Sequence, residues 1–165
     1  MGGGADTVLL SVRVNPADTI SYSVGAGGAA NVTTGSGVDG GDSTCSLTGV
    51  FSITAKAGKG ALPITTGLGY VRLAPPQTVA SSGGYIIKGS LGHVGGSSTN
   101  LGICKGGDSS RGNGGCDFYN TIGVSGFPVS GSGYGYGGYA VIGSSVLATA
   151  GAAGLVEFKY TKGVI

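Results

Sequence analysis

The chain has 165 residues, of which 38 are glycine, 10% are charged and none is tryptophan. Glycine usually makes up about 7% of a protein, and inside a helix each glycine costs about 1 kcal/mol relative to alanine. Coiled coils and helical bundles are therefore poor fits. The low charge and the 40% of hydrophobic residues argue against a solvated disordered chain. The length allows one domain or at most two small ones, and we predict a single glycine-rich domain over residues 1–165.

The charge balance and hydropathy argue against nucleic-acid and membrane partners. The net charge is +2 and the basic residues form no run, whereas counterion release from nucleic acid needs several of them close together. The first four residues have neither the basic region nor the apolar region of a secretory signal. The uncharged stretch 139–156 is long enough to cross a bilayer, but its glycines and serines favour two short strands. We therefore expect neither nucleic-acid binding nor membrane insertion.

The chain begins with a pattern that predicts a β-hairpin. Apolar and polar residues alternate over 8–14 and again over 19–24, and Asn15-Pro16-Ala17-Asp18 between them is a turn sequence. Residues 25–42 are small and polar and predict a glycine-rich loop. A strand over 47–55 follows, and we expect Phe51 and Ile53 to point inward.

Short strands are also predicted in the rest of the chain, at 70–73, 85–88, 101–104, 139–142, 146–148 and 155–160. In the last of them, Val156, Phe158 and Tyr160 would face the buried side. Residues 131–137 alternate glycine with serine or tyrosine, so an extended conformation would have one bare face. We therefore predict an all-β fold of short antiparallel strands with long glycine-rich loops, in which the glycine stretches are strands, polyglycine II helices or loops.

The residues that carry catalysis are scarce. His93 is the only histidine and Glu157 the only glutamate, while a serine triad needs a histidine and an acid and no G-x-S-x-G elbow is present. Asp39 and Asp42 stand beside glycines without the period of a calcium-binding repeat, which favours turn capping. We expect no enzymatic activity, no cofactor and no metal.

Three cysteines leave at least one thiol unpaired. Cys104 and Cys116 flank a loop rich in glycine and charge, and a disulfide between them would stabilise the fold by up to about 3 kcal/mol. Reduced thiols are the alternative, because nothing in the sequence indicates an oxidising compartment.

The composition of the loops suits recognition. They are rich in glycine, serine, asparagine and tyrosine, the mixture that antibody paratopes use. For the tyrosines in these loops, packing over a glycine layer is the alternative to exposure, whereas Tyr22, Tyr70 and Tyr160 are expected in the core. The candidate binding residues are Tyr85, Tyr119, Tyr134, Tyr136 and Tyr139, together with Lys105 and Arg111.

Three stretches resemble the glycine-rich domain of tail fibres of tailed bacteriophages. VRVNPADTISYSVGAGGAA at 12–30 is similar to its strand-turn-strand segment, GGDSTCSLTG at 40–49 to its Gly-Gly-Asn/Asp-Ser segment, and GLVEFKY at 154–160 to its closing strand. The usual opening strand is missing, as in a fragment, a processed product or a variant whose strand comes from a partner. A cysteine at position 45 is also unusual for the family.

This resemblance implies a receptor-binding tip. The chain would belong to a trimeric fibre or to an adhesin attached to one, and some such tips form polyglycine helices. It would fold in the host cytoplasm, join other virion chains and bind a bacterial surface glycan or outer-membrane protein. A structural virion protein without receptor contact, such as a fibre joint or a capsid decoration, is the alternative.

Overall fold

The computed structural model describes residues 2–30, 36–61, 77, 80–97, 101–119, 131–138, 140–141 and 147–160. This part of the chain contains twelve β-strands and no helix, and so none that could cross a membrane. All strand pairs are antiparallel. The predicted all-β class with short antiparallel strands is confirmed.

The strands form two three-stranded sheets, β2-β3-β4 and β6-β7-β9, and three two-stranded ones, β1-β5, β8-β10 and β11-β12. Their bounds are β1 Thr7–Leu9, β2 Ser21–Ser23, β3 Ser43–Leu47, β4 Phe51–Ala55, β5 Tyr85–Ile87, β6 His93–Ser97, β7 Leu101–Lys105, β8 Gly112–Asn113, β9 Cys116–Tyr119, β10 Ser132–Gly133, β11 Ala140–Val141 and β12 Leu147–Ala148.

The predicted N-terminal hairpin is wrong in its pairing. β1 pairs with β5, with Leu9 opposite Tyr85, and β2 pairs with β3, with Tyr22 opposite Cys45. The two segments therefore find partners far away in the sequence rather than each other. Residues 10–20 between them form an exposed arm, closed by the predicted turn, in which the Asp18 N–H donates to the Asn15 carbonyl at 3.0 Å.

The strand predicted over 47–55 is two strands. Gly49 has a φ of +75°, a conformation that glycine adopts without strain, and the Val50 N–H donates to the Leu47 carbonyl at 3.0 Å. This turn reverses the chain, so that β3 and β4 pair along their full length. Cys45 and Leu47 of β3 are buried, while Phe51 and Ile53 are half-buried.

Four of the later predictions hold and one is wrong. Strands occur at 85–87 and 101–105, and β11 and β12 pair as the two predicted strands of 139–148. The predicted strand 70–73, with Tyr70, lies outside the described residues. The segment 155–160 is not a strand, and its Phe158 and Tyr160 are exposed, as is Tyr22. The apolar residues of segment 155–160 therefore lie on a face that the rest of the described chain does not cover.

Extended segments outside the strands are joined by backbone hydrogen bonds with a three-residue period. Along segment 2–6, the first and fourth N–H groups donate to segment 135–138, at N–O distances of 2.9 and 2.7 Å. The second and fifth donate to segment 56–59, at 2.8 and 2.9 Å, and the third donates to Ser90 at 2.8 Å. A chain with three residues per turn and no internal hydrogen bonds contacts three neighbours in this rotation.

The same period joins two further pairs of segments. The first and fourth N–H groups of segment 151–154 donate to segment 25–28, both at 2.9 Å. Those of segment 37–40 donate to segment 58–61, at 2.9 and 3.1 Å. In each pair the accepting carbonyls are also three residues apart and run in the opposite direction, so that the segments are antiparallel.

Close backbone approach explains why these segments are rich in glycine. A Cβ at Gly4 would overlap the carbonyl group of Asp108, and a Cβ at Gly107 would overlap the Ser90 carbonyl and the Gly4 nitrogen. Only hydrogen fits between backbones at such distances. Backbone contacts therefore replace much of the side-chain core that a chain of this length would otherwise need.

Candidate functional site

Tyr134 lies at the end of a turn built from glycine. Gly133 has a φ of +88° and Gly135 a φ of +66°, and both values belong to the left-handed region that side-chain-bearing residues rarely adopt. The Tyr134 side chain between them is 48% exposed. Two glycines thus turn the backbone sharply and leave a large amphipathic ring at the surface.

Hydrogen bonds fix this turn to a second one. The Tyr134 N–H donates to the Arg111 carbonyl at 3.0 Å, and the Ser109 hydroxyl donates to the Tyr134 carbonyl. The Arg111 N–H donates to the Ser109 hydroxyl at 3.1 Å, and β8 pairs with β10 beside them. We call the residues 109–112 and 132–135 the tyrosine tip. Its backbone is held in place on both sides of the exposed ring.

Arg111 adds a charged group to the tyrosine tip. Its Nη2 lies 2.6 Å from Oε2 of Glu157, whose other oxygen is 3.5 Å from Lys159 Nζ. The side chains of Arg111 and Glu157 are 47% and 40% exposed, and exposed ion pairs contribute at most about 1 kcal/mol. The guanidinium carries five N–H donors, so it can bind a further carboxylate or phosphate at little cost.

Tyr85, Tyr136 and Lys105, which were also predicted to bind, lie outside the tyrosine tip. Tyr85 is 71% exposed but belongs to the β1-β5 sheet. Tyr136 is half-buried with its ring against Gly131, which is the glycine-layer packing considered above. Lys105 pairs with Asp108 at 2.6 Å. Tyr139 and the side chain of Tyr119 lie outside the described residues.

A set of aspartate caps lies outside the predicted binding residues, and only Asp39 and Asp42 among them were expected to act as caps. Five aspartates each accept a backbone N–H at 2.6–3.0 Å: Asp6 from Gly89, Asp18 from Asn15, Asp39 from Gly60, Asp42 from Ala57 and Asp108 from Gly114. Four of them also accept a lysine ammonium at 2.6–2.8 Å: Asp6 from Lys88, Asp39 from Lys59, Asp42 from Lys56 and Asp108 from Lys105. These carboxylates hold the backbone of neighbouring segments in place.

Spacing in the sequence could have indicated part of this set. Asp39 and Asp42 are three residues apart, as are Lys56 and Lys59, so a three-residue period places each pair on one face. A cleft of about 270 Å³ lies beside these four side chains and is also lined by Gln77. Within the described part of the chain, no three potential metal ligands come together.

The pKa values of three carboxyl groups reflect these contacts. Burial alone would raise the pKa of Asp6, but hydrogen bonds from Lys88, Ser81 and the Gly89 N–H outweigh it and hold the pKa below its ordinary value. The pKa of Asp39 and that of Asp42 are lowered in the same way, against a desolvation cost, by a lysine and a backbone N–H.

The register of β7 and β9 bears on the two loop cysteines. Cys104 lies opposite Asp117, and Cys116 lies opposite Lys105, so the two cysteines are offset by one position. Their side chains lie outside the described residues, and a disulfide between them stays a prediction.

No protein-family model matches this chain, and neither does any curated protein or solved structure. The geometry of the surface and the resemblance of the three sequence stretches therefore carry the functional argument.

Proposed function

We propose that the chain is a tail-fibre or adhesin component of a virion and that it binds a glycan or an outer-membrane protein on a bacterial surface. The observation that carries this proposal is the tyrosine tip. Its half-exposed ring lies between two glycines with positive φ, and its backbone is hydrogen-bonded to Arg111.

The chemistry of the tyrosine tip matches such a receptor. A tyrosine ring packs its face on a sugar or on an apolar loop, and its hydroxyl supplies a hydrogen bond at the edge. Arg111 is positioned to bind a phosphate or carboxylate group of the receptor. Because the backbone is already fixed, binding orders few additional torsions and loses little entropy. Tyr85 and Lys105 are proposed as peripheral contacts, and Tyr119 and Tyr139 stay candidate contact residues from their sequence alone.

The scaffold supports the same proposal. We propose that the segments with the three-residue hydrogen-bond period are a bundle of polyglycine II helices that carries the tip and its glycine-rich loops. The chain would act as a homo-oligomer, a trimer, in contact with other virion proteins. It would fold in the host cytoplasm and become extracellular with the released virion.

The second candidate is a purely structural virion protein, such as a fibre joint. The observation in its favour is the number of apolar side chains exposed away from the tyrosine tip, among them Tyr160 at 92% and Val38 at 55%. Surfaces of this kind mark contacts between proteins.

Competition with phage adsorption tests the proposal. Purified wild-type chain should bind whole bacteria and block a phage that carries it, whereas Tyr134→Ala and Arg111→Ala should each lower the binding constant at least about tenfold, as for hot-spot residues. Val38→Ala is the control, because it removes an exposed apolar side chain (55% exposed) that lies away from the tyrosine tip. Circular dichroism and thermal melting would show that the variants are folded.

Two outcomes would contradict receptor binding at the tyrosine tip. Unchanged adsorption by both tip variants would remove the tip from the site. A wild-type chain that ignores bacteria but assembles with other virion proteins would favour the structural function.

A further inference from the structure

Two segments of the chain expose a row of large apolar side chains. One is the arm with β2, and the other is the C-terminal segment 155–160. Between 39% and 92% of each residue's surface is exposed at Leu10, Val12, Val14, Tyr22, Val24, Leu155, Phe158 and Tyr160. In both segments apolar and polar residues alternate, as is typical of a half-buried strand. In the single chain, however, the apolar residues lie at the surface.

Part of this surface is held together by direct contacts. The Tyr22 and Phe158 rings meet edge to face, with centroids 5.6 Å apart and an interplanar angle of 70°. The Gly154 N–H donates to the Gly25 carbonyl at 2.9 Å, which brings the start of the C-terminal segment to the end of β2. We call Tyr22, Val24 and residues 155–160 the apolar end.

The arm and segment 155–160 make few backbone hydrogen bonds to the rest of the described chain. Between residues 10 and 20, the backbone–backbone hydrogen bonds among the described residues are limited to the one that closes the turn at Asn15, and among the same residues segment 155–160 makes none. A strand edge with open N–H and C=O groups is one to which another strand adds. The occupant of such an edge is itself an extended strand.

The exposed apolar area suits a contact of modest size between two proteins. With about 200 Å² for a large side chain in full exposure, the exposed fractions of these eight residues correspond to roughly 800 Å². In a contact between two copies this area is divided between the arm of one copy and the apolar end of the other, so it is a total for both partners. It falls in the range of weak or transient interfaces, below about 1,200 Å².

The sequence of the arm fits the segment 155–160 in one antiparallel register. With Val12 opposite Phe158, Leu10 faces Tyr160 and Val14 faces Val156, so that apolar residues meet on one side. On the other side Arg13 then lies opposite Glu157, an attractive pair. The parallel alternative with the same central pair would set Arg13 against Lys159, which is repulsive.

We propose that the arm of one chain adds as an antiparallel strand to segment 155–160 of a second copy of this chain. The chain itself provides both halves of the contact, with matching apolar residues and complementary charge. The contact is heterologous, because the arm of one copy meets the apolar end of the next, and such contacts form a ring where their rotation closes and an open filament where it does not. This contact specifies which residues would join the copies in the homo-oligomer proposed above, and it does not depend on receptor binding.

Molar mass in solution tests this contact with the full chain. Sedimentation equilibrium should give a multiple of 15.8 kDa for the wild type and the single-chain mass for Val12→Asp. The matched control is Ser11→Asp, which adds the same charge on the polar side of the arm, opposite Lys159, and should keep the wild-type mass. Because Val12 is exposed in the single chain, an unchanged melting curve at low concentration should show that Val12→Asp is folded.

Cross-linking tests the register. In a chain whose Cys104 and Cys116 are replaced by serine, Val12→Cys combined with Phe158→Cys should give covalent multimers on oxidation, whereas Ser11→Cys with Phe158→Cys, one position out of register, should give far fewer. A monomeric wild type, an oligomeric Val12→Asp variant or dimers from Val12→Cys alone would overturn the proposal. An oligomeric wild type that ignores bacteria would contradict only the receptor function.

Discussion

Replacement of Asp6 by alanine should cause a large loss of stability, because this carboxylate is buried and joins three parts of the chain. Its side chain is 2% exposed and accepts hydrogen bonds from Ser81 Oγ at 2.7 Å, Lys88 Nζ at 2.8 Å and the Gly89 N–H at 3.0 Å. Ser81 is also buried, so in Asp6→Ala its hydroxyl and the Gly89 N–H lose a partner that water does not readily replace.

The magnitude follows from these contacts. A buried donor left without a partner costs about 1–3 kcal/mol, and two donors are affected. The Lys88 side chain is 56% exposed, so its ammonium regains water and adds little. We expect Asp6→Ala to lower the free energy of unfolding by about 3–4 kcal/mol, within the range for breaking a buried ion pair and a large part of a typical total of 5–15 kcal/mol.

Urea unfolding followed by circular dichroism measures the effect. With a slope of about 2 kcal/mol/M, the midpoint should fall by about 2 M. Asp18→Ala is the matched control, because it also removes an aspartate that accepts a backbone N–H, at 2.7 Å, but at an exposed site, and should cost about 1 kcal/mol or less. Equal losses in the two variants would refute the reasoning that burial makes the Asp6 contacts strong.

Further predictions concern the backbone packing, the carboxylates and the buried thiol. Gly107→Ala should destabilise the fold by at least about 2 kcal/mol, and Gly41→Ala, whose new Cβ would be 3.2 Å from its nearest neighbour, by less; equal urea midpoints would contradict this. The lowered pKa values of Asp39 and Asp42 mean that their stabilisation is complete above an ordinary pKa of about 3.9 and is lost as the pH falls through the lower folded values. Replacing both aspartates by asparagine should reduce the fall of the urea midpoint between pH 5 and 2, by an amount on the order of the stability that the two ion pairs contribute. A midpoint that falls as steeply as in the wild type would contradict the assignment. Burial raises the pKa of the Cys45 thiol, so site-resolved mass spectrometry should find it alkylated slowly in the folded chain and rapidly in urea; equal rates would show that it is accessible.

The sequence predicts where the chain is extended better than it predicts what each segment pairs with. Alternation located the segments around β1 and β2, because that pattern reflects local side-chain positions. The partners of β1 and β2 are distant, and local alternation does not encode distance along the chain. The turn at Gly49 was not predicted, because the apolar residues on both sides of it gave the pattern of one continuous strand.

Part of the candidate site was predictable for the same reason. Tyr134 and Arg111 stood out by composition, but nothing local indicates that their backbones are hydrogen-bonded or that Glu157 pairs with Arg111. Tyr22 and Tyr160 were expected in the core and are exposed. An alternating pattern indicates a face that becomes buried, but it does not indicate whether the same chain or another molecule covers that face.

The three-residue hydrogen-bond period has a consequence for the order of synthesis. Segment 2–6 is synthesised before segments 56–59 and 135–138 and Ser90, to which its N–H groups donate. It therefore stays without these partners until residue 138 has been made. Closure over such long separations is slow and leaves partly assembled backbone exposed to wrong partners. Production of this protein should thus be more sensitive to temperature and to crowding by nascent copies than its small size would suggest.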